Sequence, residues 1–169
     1  MKQGGQARAT VQLGVIGAAV ADAGVMSLAR EVGALAAGRG WVILCGGMGG
    51  VMEAVSEGAA EKGGLVVGLL PGSSRSEANP YLGVALPTNM GHGRNVLIAQ
   101  ASDAIIAIGG GYGTLSEMAL GLKMGKPVVS LNSWRPDGSV RTAETAEEAV
   151  AEASRSCGEC RQGEYRQGE

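Results

Sequence analysis

The sequence predicts one α/β domain built on a doubly wound, mainly parallel sheet flanked by helices. Short apolar runs alternate with helical patterns along most of the chain, which is typical of parallel strands joined by crossover helices. The runs are apolar almost throughout rather than alternating, as expected when helices cover both faces of a sheet. A chain of 169 residues suits a single domain of this kind.

Five strands and five helices follow from this pattern, in the order expected of a Rossmann-like fold. The strands are predicted at residues 11–16, 41–45, 65–70, 104–108 and 127–131, and the pattern allows a short extra strand at 83–87. The helices are predicted at residues 26–38, 51–63, 94–101, 114–126 and 145–154. Gly38 and Gly63 are suited to end the first two helices, because glycine readily adopts the left-handed conformation found at helix C-termini.

The two ends of the chain differ from this pattern. Residues 1–10 are predicted to be a flexible N-terminus, and the domain is predicted to span residues 11–155. Residues 156–169 repeat Arg-Gln-Gly-Glu on either side of Tyr165 and carry no apolar period, so they are predicted to form a disordered tail. Cys157 and Cys160 lie in this tail and make at most half of a zinc site, so no metal site is predicted.

The composition excludes several classes of function. Lys and Arg number 14 against 16 Asp and Glu, which leaves no basic surplus for binding nucleic acid. No apolar run reaches the roughly 18 residues of a membrane span, and the N-terminus does not have the pattern of a signal peptide. The three cysteines do not form a secreted disulfide framework, so a cytoplasmic location is expected.

Two glycine-rich loops follow predicted strands and open predicted helices. Unpaired N–H groups and the positive end of the helix dipole make such a loop an anion site, and glycine lets a phosphate approach the backbone. Tight turns between a strand and a helix require glycine even without a ligand. For one loop alone, a purely structural turn and a phosphate site are therefore equally good interpretations. Two such loops in one short domain favour phosphate. The candidate residues are Gly46, Gly47, Gly49, Gly50, Gly109, Gly110, Gly111, Tyr112, Gly113 and Thr114.

Neither loop matches a familiar phosphate motif. The dinucleotide fingerprint requires a third glycine where the first loop has Met52 and the second has Thr114. The Walker motif requires Ser or Thr after Gly-Lys, whereas Gly125-Lys126 is followed by Pro127. An ordinary dehydrogenase or P-loop ATPase is therefore disfavoured.

Glu117 has two interpretations. Thr114 and Glu117 have the spacing of a capping box, in which Thr114 caps the helix and Glu117 reaches back to the Thr114 N–H. Spacing alone favours this structural role by roughly two to one, since such boxes are common at helix starts. The functional alternative is a carboxylate that faces the same crevice as the phosphate loop.

Arg94 lies at the start of a predicted helix, where the dipole disfavours a cation. A nearby anion would explain this placement: Asp103, Glu117 or a bound phosphate. An exposed, solvated arginine explains it equally well on sequence alone. His92, the one histidine of the chain, is interpreted as a loop residue.

These residues resemble the superfamily once called lysine-decarboxylase-like, which includes the LONELY GUY (LOG) cytokinin-activating hydrolases and the molybdenum cofactor carrier proteins. The LOG motif P-G-G-x-G-T-x-x-E is matched from Gly110 to Glu117, with Gly109 in place of the proline. The resemblance extends from Val11 to about Leu131 and includes the segment "CGGMGGVMEAVSEGAAEKGGLVVGLLPG".

One departure bears on which branch the chain is most similar to. LOG enzymes carry a Met-x-x-Arg-Lys segment whose arginine acts with the motif's glutamate. Here "MGHGRN" supplies Arg94, but Asn95 replaces the lysine and the spacing from Met90 differs. The segments "GHGRN" and "IGGGYGTLSE" look more like the branch that contains the molybdenum cofactor carriers.

The resemblance implies a small phosphorylated ligand, with Arg94 and Glu117 as catalytic residues. In a hydrolase, a nucleoside 5′-monophosphate would place its phosphate on Gly110–Thr114 and be cleaved to free base and ribose 5-phosphate. The alternative is a carrier that holds the molybdenum cofactor, a phosphorylated pterin, without turnover. A third alternative is a regulatory nucleotide sensor. No cofactor is required for hydrolysis, and the resemblance implies a homo-oligomer, either a dimer or a tetramer.

Overall fold

A computed structural model describes the chain from residue 10 to residue 164, and its side chains as far as residue 157. The described chain contains seven strands, five α-helices and one 3-10 helix at Gly91–Arg94. The strands are β1 (Gln12–Gly17), β2 (Val42–Cys45), β3 (Val66–Leu70), β4 (Val84–Pro87), β5 (Ala104–Ile108), β6 (Val128–Leu131) and β7 (Arg141–Ala143). The helices are α1 (Ala23–Gly38), α2 (Val51–Ala60), α3 (Asn95–Ala101), α4 (Tyr112–Lys123) and α5 (Ala146–Glu164).

All seven strands form one parallel sheet, in the order β4-β3-β2-β1-β5-β6-β7. The central strand β1 pairs with β2 on one side and with β5 on the other, where Leu13 lies opposite Ala104. The order of the strands reverses at β1, so the crevice between the loops after β1 and β5 is the expected ligand site. The predicted Rossmann-like α/β fold is confirmed.

Helices cover both faces of the sheet. Helices α1, α2 and α5 contribute to one apolar cluster, and α3 and α4 contribute to the other. The α1–α2 contact is unusually close, because two glycines remove the side chains between the helices. A Cβ atom on Gly58 would lie 1.9 Å from the Arg30 carbonyl oxygen, and one on Gly33 would lie 2.1 Å from the Val55 carbonyl oxygen. Small residues thus let two backbones pack directly against each other.

Two helices begin earlier than predicted. Helix α1 ends at Gly38 as predicted but begins at Ala23 rather than at residue 26, and the residue in the left-handed conformation after it is Gly40, with φ of 71°. Helix α4 begins at Tyr112, not at Thr114, and Gly111 occupies its N-cap position without a side-chain hydrogen bond. This start, two residues earlier than predicted, changes the helical position of every side chain in the first turn of α4.

The C-terminal prediction is corrected by helix α5, which continues to Glu164 rather than giving way to a tail at residue 156. Ala146, Ala149, Ala153 and Cys157 lie on one buried face at helical spacing. Cys157 therefore extends the apolar stripe of the helix, a role that its position in a polar, repetitive segment conceals. Residues 1–9 and 165–169, which hold most of the predicted flexible N-terminus and the end of the predicted tail, lie outside the described residues.

Strand β7 was not predicted. It has three residues, two of them exposed, and it lies at the sheet edge beside β6.

Within residues 10–164, none of the helices combines the length and the apolar character that crossing a membrane would require.

Candidate functional site

A cavity of about 330 Å³ opens at the carboxyl ends of the central strands. Its wall is formed by the loops after β1, β2 and β3, the 3-10 helix and the first turns of α4. Gly46, Arg94, Thr114 and Glu117 all line it. The structure therefore brings together both predicted catalytic residues and members of both glycine loops.

Arg94 ends the 3-10 helix and is buried, with 7% of its surface exposed. Its Nε and Nη1 atoms have no hydrogen-bond partner among the described residues. Burial lowers the pKa of the guanidinium, and the negative charge of Glu117 opposes this shift. Burying a charged donor without an acceptor costs free energy, so the Arg94 guanidinium is suited to bind an anion from solution. The interpretation of Arg94 as an exposed side chain is wrong.

Glu117 lies more than one turn inside α4 and is 7% exposed. Burial raises the pKa of its carboxyl to about 7, and the nearby charge of Arg94 works against the rise. The capping-box interpretation is wrong, because the helix begins at Tyr112 and Glu117 is not in its first turn. Glu117 is a buried acid facing a cavity, with an ionisation state that changes near neutral pH.

Gly46 is needed for Arg94 to occupy its place. A Cβ atom at Gly46 would lie 2.4 Å from Nη1 of Arg94 and 2.5 Å from Sδ of Met52, both far inside contact distance. Gly46 directly follows Cys45, whose buried thiol has its pKa raised by burial. The first glycine loop thus provides the space into which the guanidinium packs.

The second glycine loop turns the chain from β5 into α4. Gly109 and Gly110 have φ values of 54° and 99°, a region that favours glycine. A Cβ atom on Gly110 would also lie 2.2 Å from Oγ1 of Thr114, which is itself buried. Because the loop is this tight, the N-terminus of α4 lies at the cavity, where its dipole favours negative charge.

Three predicted ligand-binding glycines do not line either cavity described here. Gly47 packs against Gly68 and Leu70 of β3. Gly49 and Gly50 lie against the backbone after β1, and a Cβ atom on Gly50 would be 2.4 Å from the Ala18 carbonyl oxygen. Gly47 and Gly50 allow close packing of the loops, whereas Gly49 has room for a methyl group.

A second cavity, of about 570 Å³, lies beside the first and shares Ala18 and Gly111 with it. It is lined by the loop after β1, by Gly109–Gly111 and by Asn132, Ser133 and Trp134 after β6. Tyr112 is 83% exposed, and its ring stacks on Trp134 with 5.9 Å between centroids.

The loops after β1 and β6 were not among the binding residues predicted from the sequence, because the prediction was based on clusters of glycine. The signal that could have found them was their position at the carboxyl ends of strands next to the reversal of strand order.

The remaining polar groups at the site include His92, which lines the first cavity and is exposed. Within the described part of the chain, no group of three or more His, Cys, Asp or Glu side chains is placed to hold a metal ion. The described residues place a buried carboxylate, a buried guanidinium and the N-terminal backbone of α4 at this cavity.

Comparison with known proteins gives both sequence relatives and structural neighbours. A profile of the SLOG cluster4 family matches residues 10–159. An uncharacterized protein of Archaeoglobus fulgidus is 49% identical over 140 residues, covering 83% of this chain and 92% of that one. The cytokinin riboside 5′-monophosphate phosphoribohydrolase of Mycobacterium tuberculosis is 36% identical over 120 residues, covering 65% of this chain and 64% of the enzyme. The match thus spans just under two thirds of that enzyme's length.

The solved structures similar to this chain include molybdenum cofactor proteins. The molybdenum cofactor binding protein from Rippkaea orientalis superposes with a TM-score of 0.82 at 34% identity, covering 86% of this chain and 96% of that one. The Moco carrier protein from Chlamydomonas reinhardtii gives a TM-score of 0.82 at 31% identity, covering 89% and 99%. DNA processing protein A from Streptococcus pneumoniae, at 15% identity and a TM-score of 0.65, shares the fold alone.

Proposed function

The chain belongs to the SLOG cluster4 family, and we propose that it hydrolyses the N-glycosidic bond of a nucleoside 5′-monophosphate, releasing free base and ribose 5-phosphate. One observation carries the proposal: the buried guanidinium of Arg94, with unpaired Nε and Nη1, shares a cavity with the buried carboxyl of Glu117. A buried cation and a buried acid at the end of a phosphate-type loop suit a substrate with an anionic end and a cationic transition state.

The phosphate is assigned to the start of α4. Gly111, Gly113 and Thr114 line the cavity there, and the helix N-terminus favours an anion. Arg94 faces the same cavity and would interact with the phosphate or hold Glu117 in position. Placing the phosphate at the helix end leaves the ribose within reach of Glu117, which lies one turn further along α4.

Glu117 is assigned the chemical role. Cleavage of an N-glycosidic bond passes through an oxocarbenium-like state, and an ionised carboxylate stabilises that charge and orients the attacking water. The water oxygen bonds to the anomeric carbon as the bond to the base nitrogen breaks. One water proton remains on the new ribose hydroxyl, and the other ends on the departing base. Because the pKa of Glu117 is about 7, a substantial fraction of it is ionised at neutral pH.

The sequence relatives support this reaction. The Mycobacterium tuberculosis relative is named a phosphoribohydrolase, and the LOG motif is matched here from Gly110 to Glu117. The alignment with that enzyme covers 65% of this chain. A ligand of the same chemical class, a small phosphorylated heterocycle, is common to the hydrolases and to the structural neighbours.

A specific observation favours a second function, that of a molybdenum cofactor carrier. The Moco carrier protein and the related binding protein align over 96–99% of their own length, more than the phosphoribohydrolase does. A carrier would use the same anion site at α4 for the phosphate of the pterin, and Arg94 would contribute charge without chemistry. The two functions differ in turnover, and this difference decides the experiment.

The test is incubation of the purified protein with AMP, GMP, CMP and UMP, followed by chromatographic detection of free base and ribose 5-phosphate. The matched variants are Glu117→Gln and Glu53→Gln, the second removing a carboxylate from the first turn of α2, outside the cavity lining. We expect Glu117→Gln to reduce release by at least about 100-fold and Glu53→Gln to leave it unchanged.

Two outcomes would reject hydrolysis. Release that persists in Glu117→Gln would remove Glu117 from the chemistry. No release from any nucleotide, together with retention of the molybdenum cofactor during gel filtration, would establish the carrier function instead.

A further inference from the structure

The two residues that follow Asn132 bind three successive carbonyl groups of the second glycine loop. The Ser133 hydroxyl donates a hydrogen bond to the Gly109 carbonyl oxygen. The Trp134 indole Nε1–H lies 3.1 Å from the Gly110 carbonyl oxygen and 3.2 Å from that of Gly111, and donates to both. These contacts join the end of β6 to the segment at which α4 begins.

The direction of these carbonyls fixes the direction of the N–H groups that follow them. The described chain has no cis peptide bond, and in a trans peptide the carbonyl and the next residue's N–H point in opposite directions. The carbonyl groups of residues 109–111 point toward Ser133 and Trp134, in the loop after β6. The N–H groups of Gly110, Gly111 and Tyr112 therefore point away from that loop. Gly111 lines both cavities, and it is the residue through which this segment reaches the cavity that contains Arg94. Gly109, Gly110 and residues 132–134 line only the other cavity.

The ring of Trp134 is itself held in place. Tyr112, the first residue of α4, stacks on it with an interplanar angle of 28°. The stack on Tyr112 and the bifurcated hydrogen bond to the carbonyl oxygens of Gly110 and Gly111 hold Trp134 against the loop. Asn132, just before this pair, has φ of 52°, a conformation uncommon for a residue other than glycine, and it redirects the chain after β6.

We propose that Ser133 and Trp134 are positioning residues that orient the N–H groups of residues 110–112 toward a phosphate. The inference rests on the proposed function, because it concerns the phosphate end of the same ligand. The two side chains do not contact the ligand in this arrangement. They act by fixing three peptide planes in advance, so that the loop is not reorganised when an anion binds.

The experiment measures binding of inorganic phosphate and of AMP by calorimetry, which requires no turnover. The variants are Trp134→Phe, which keeps an aromatic ring against Tyr112 but removes the donor, and Ser133→Ala. The control is Trp41→Phe, because Trp41 is buried at the start of β2 and lines neither cavity. We expect the Kd for both probes to rise about tenfold in Trp134→Phe and to stay unchanged in Trp41→Phe.

Kinetics and fluorescence supply a second measurement. If the protein is a hydrolase, Trp134→Phe should raise KM for AMP about tenfold and change kcat much less, a division that a general loss of folding would not produce. In Trp41→Phe, Trp134 is the one remaining tryptophan of the chain. Because the loop is fixed in advance, the fluorescence of Trp134 should change little when phosphate binds, and a large change would show that the loop is reorganised and overturn the inference.

The outcomes separate this inference from the proposed function. Equal phosphate affinity in the wild type, Trp134→Phe and Ser133→Ala would overturn the positioning role and leave the proposed function standing. Absence of binding of both phosphate and AMP to the wild type would overturn the phosphate site and this inference with it.

Discussion

At the scale of single residues, the site depends on Arg94 and Glu117, each buried and each shifting the pKa of the other. Burial raises the pKa of Glu117 to about 7 and Arg94 opposes that rise, so the carboxyl is neither permanently ionised nor permanently neutral. Such a group can change charge in the physiological range, which is the property expected of a catalytic carboxyl.

The proposed hydrolysis should depend on pH through this pKa. If the ionised form of Glu117 stabilises the oxocarbenium-like state as proposed, kcat/KM should rise with pH and level off above about pH 7. The measurement is kcat/KM for the best nucleotide from pH 5 to pH 9. A rate that falls as pH rises through this range would show that the protonated form of Glu117 is the active one.

Stability should depend on pH in the opposite sense. In the folded chain Glu117 holds its proton up to about pH 7, whereas in the unfolded chain the carboxyl loses its proton near its ordinary pKa of 4.5. The folded state therefore binds more protons between these values, and this contribution to stability is lost as pH rises through about 7. Between pH 5 and pH 8 the loss amounts to roughly 2–3 kcal/mol.

Urea unfolding at pH 5 and pH 8 measures this loss as the free energy of unfolding of the wild type relative to Glu117→Gln. The variant has no titrating group at this position, so the difference between the two proteins should change by the stated amount. A difference that is the same at both pH values would mean that the carboxyl titrates normally.

Gly46 gives a third prediction at this scale. Gly46→Ala places a methyl group 2.4 Å from Nη1 of Arg94, so the guanidinium must move. We expect kcat/KM to fall by about 100-fold, since small displacements of positioned groups have effects of this size. Gly49→Ala is the matched control in the same loop, because a methyl group there would be no closer than 3.6 Å to its neighbours. Full activity in Gly46→Ala would show that the position of Arg94 is not critical.

At the scale of elements, the close contact between α1 and α2 makes Gly58 the most constrained glycine between them. Gly58→Ala would bring a methyl group within 1.9 Å of the Arg30 carbonyl oxygen, so the helices must separate. We expect a loss of about 1–3 kcal/mol in the free energy of unfolding. Gly38→Ala, at the exposed end of α1 with open space around it, should be neutral or slightly stabilising. Denaturant unfolding compares the two, and equal stability in both variants would contradict the prediction.

The sequence predicted six of the seven strands and all five helices, because apolar runs and helical periods are local signals. Strand β7 escaped because it has three residues, two of them exposed. The start of α4 was misplaced because capping-box spacing is present at Thr114 whether or not the helix begins there. Gly111 and Tyr112 determine the real start.

The sequence predicted only those residues of the candidate site that lie in recognisable motifs. Motif resemblance led to Arg94 and Glu117, and the structure places both in one cavity. The contribution of Ser133 and Trp134 could not be predicted, because these residues meet the glycine loop only through the pairing of β5 with β6. Contacts of this kind are tertiary and leave no periodic signal in the sequence.

At the scale of the whole molecule, the sheet has two unlike edges. The β7 edge carries Arg141, which pairs with Glu152 of α5. The β4 edge is apolar and exposed: Val84 and Leu86 of β4 have 39% and 44% of their surfaces accessible, and Leu65, just before β3, has 45%. Natural proteins protect free edges with charges or prolines, and β4 has no charge and one proline, Pro87 at its end.

The expected homo-oligomer stays a prediction, and the β4 edge is where we expect the contact. Leu86→Lys should shift the molar mass measured by light scattering toward the monomer, because a buried lysine opposes an apolar interface. Val20→Lys, on the loop after β1, changes an even more exposed apolar residue, at 88% against 44% for Leu86, and should not alter the mass. A wild-type protein that is monomeric at micromolar concentration would rule out the assembly.

The parallel sheet also has a consequence for the order in which the protein forms. The central strand β1 pairs with β5, and Leu13 meets Ala104 only after most of the chain is available. A chain emerging from the ribosome therefore leaves one edge of β1 unpaired until β5 has been synthesised, and contacts between such distant segments are slow to form. The cavity between the loops after β1 and β5 comes into existence with that pairing, so it cannot form before β5 has been synthesised.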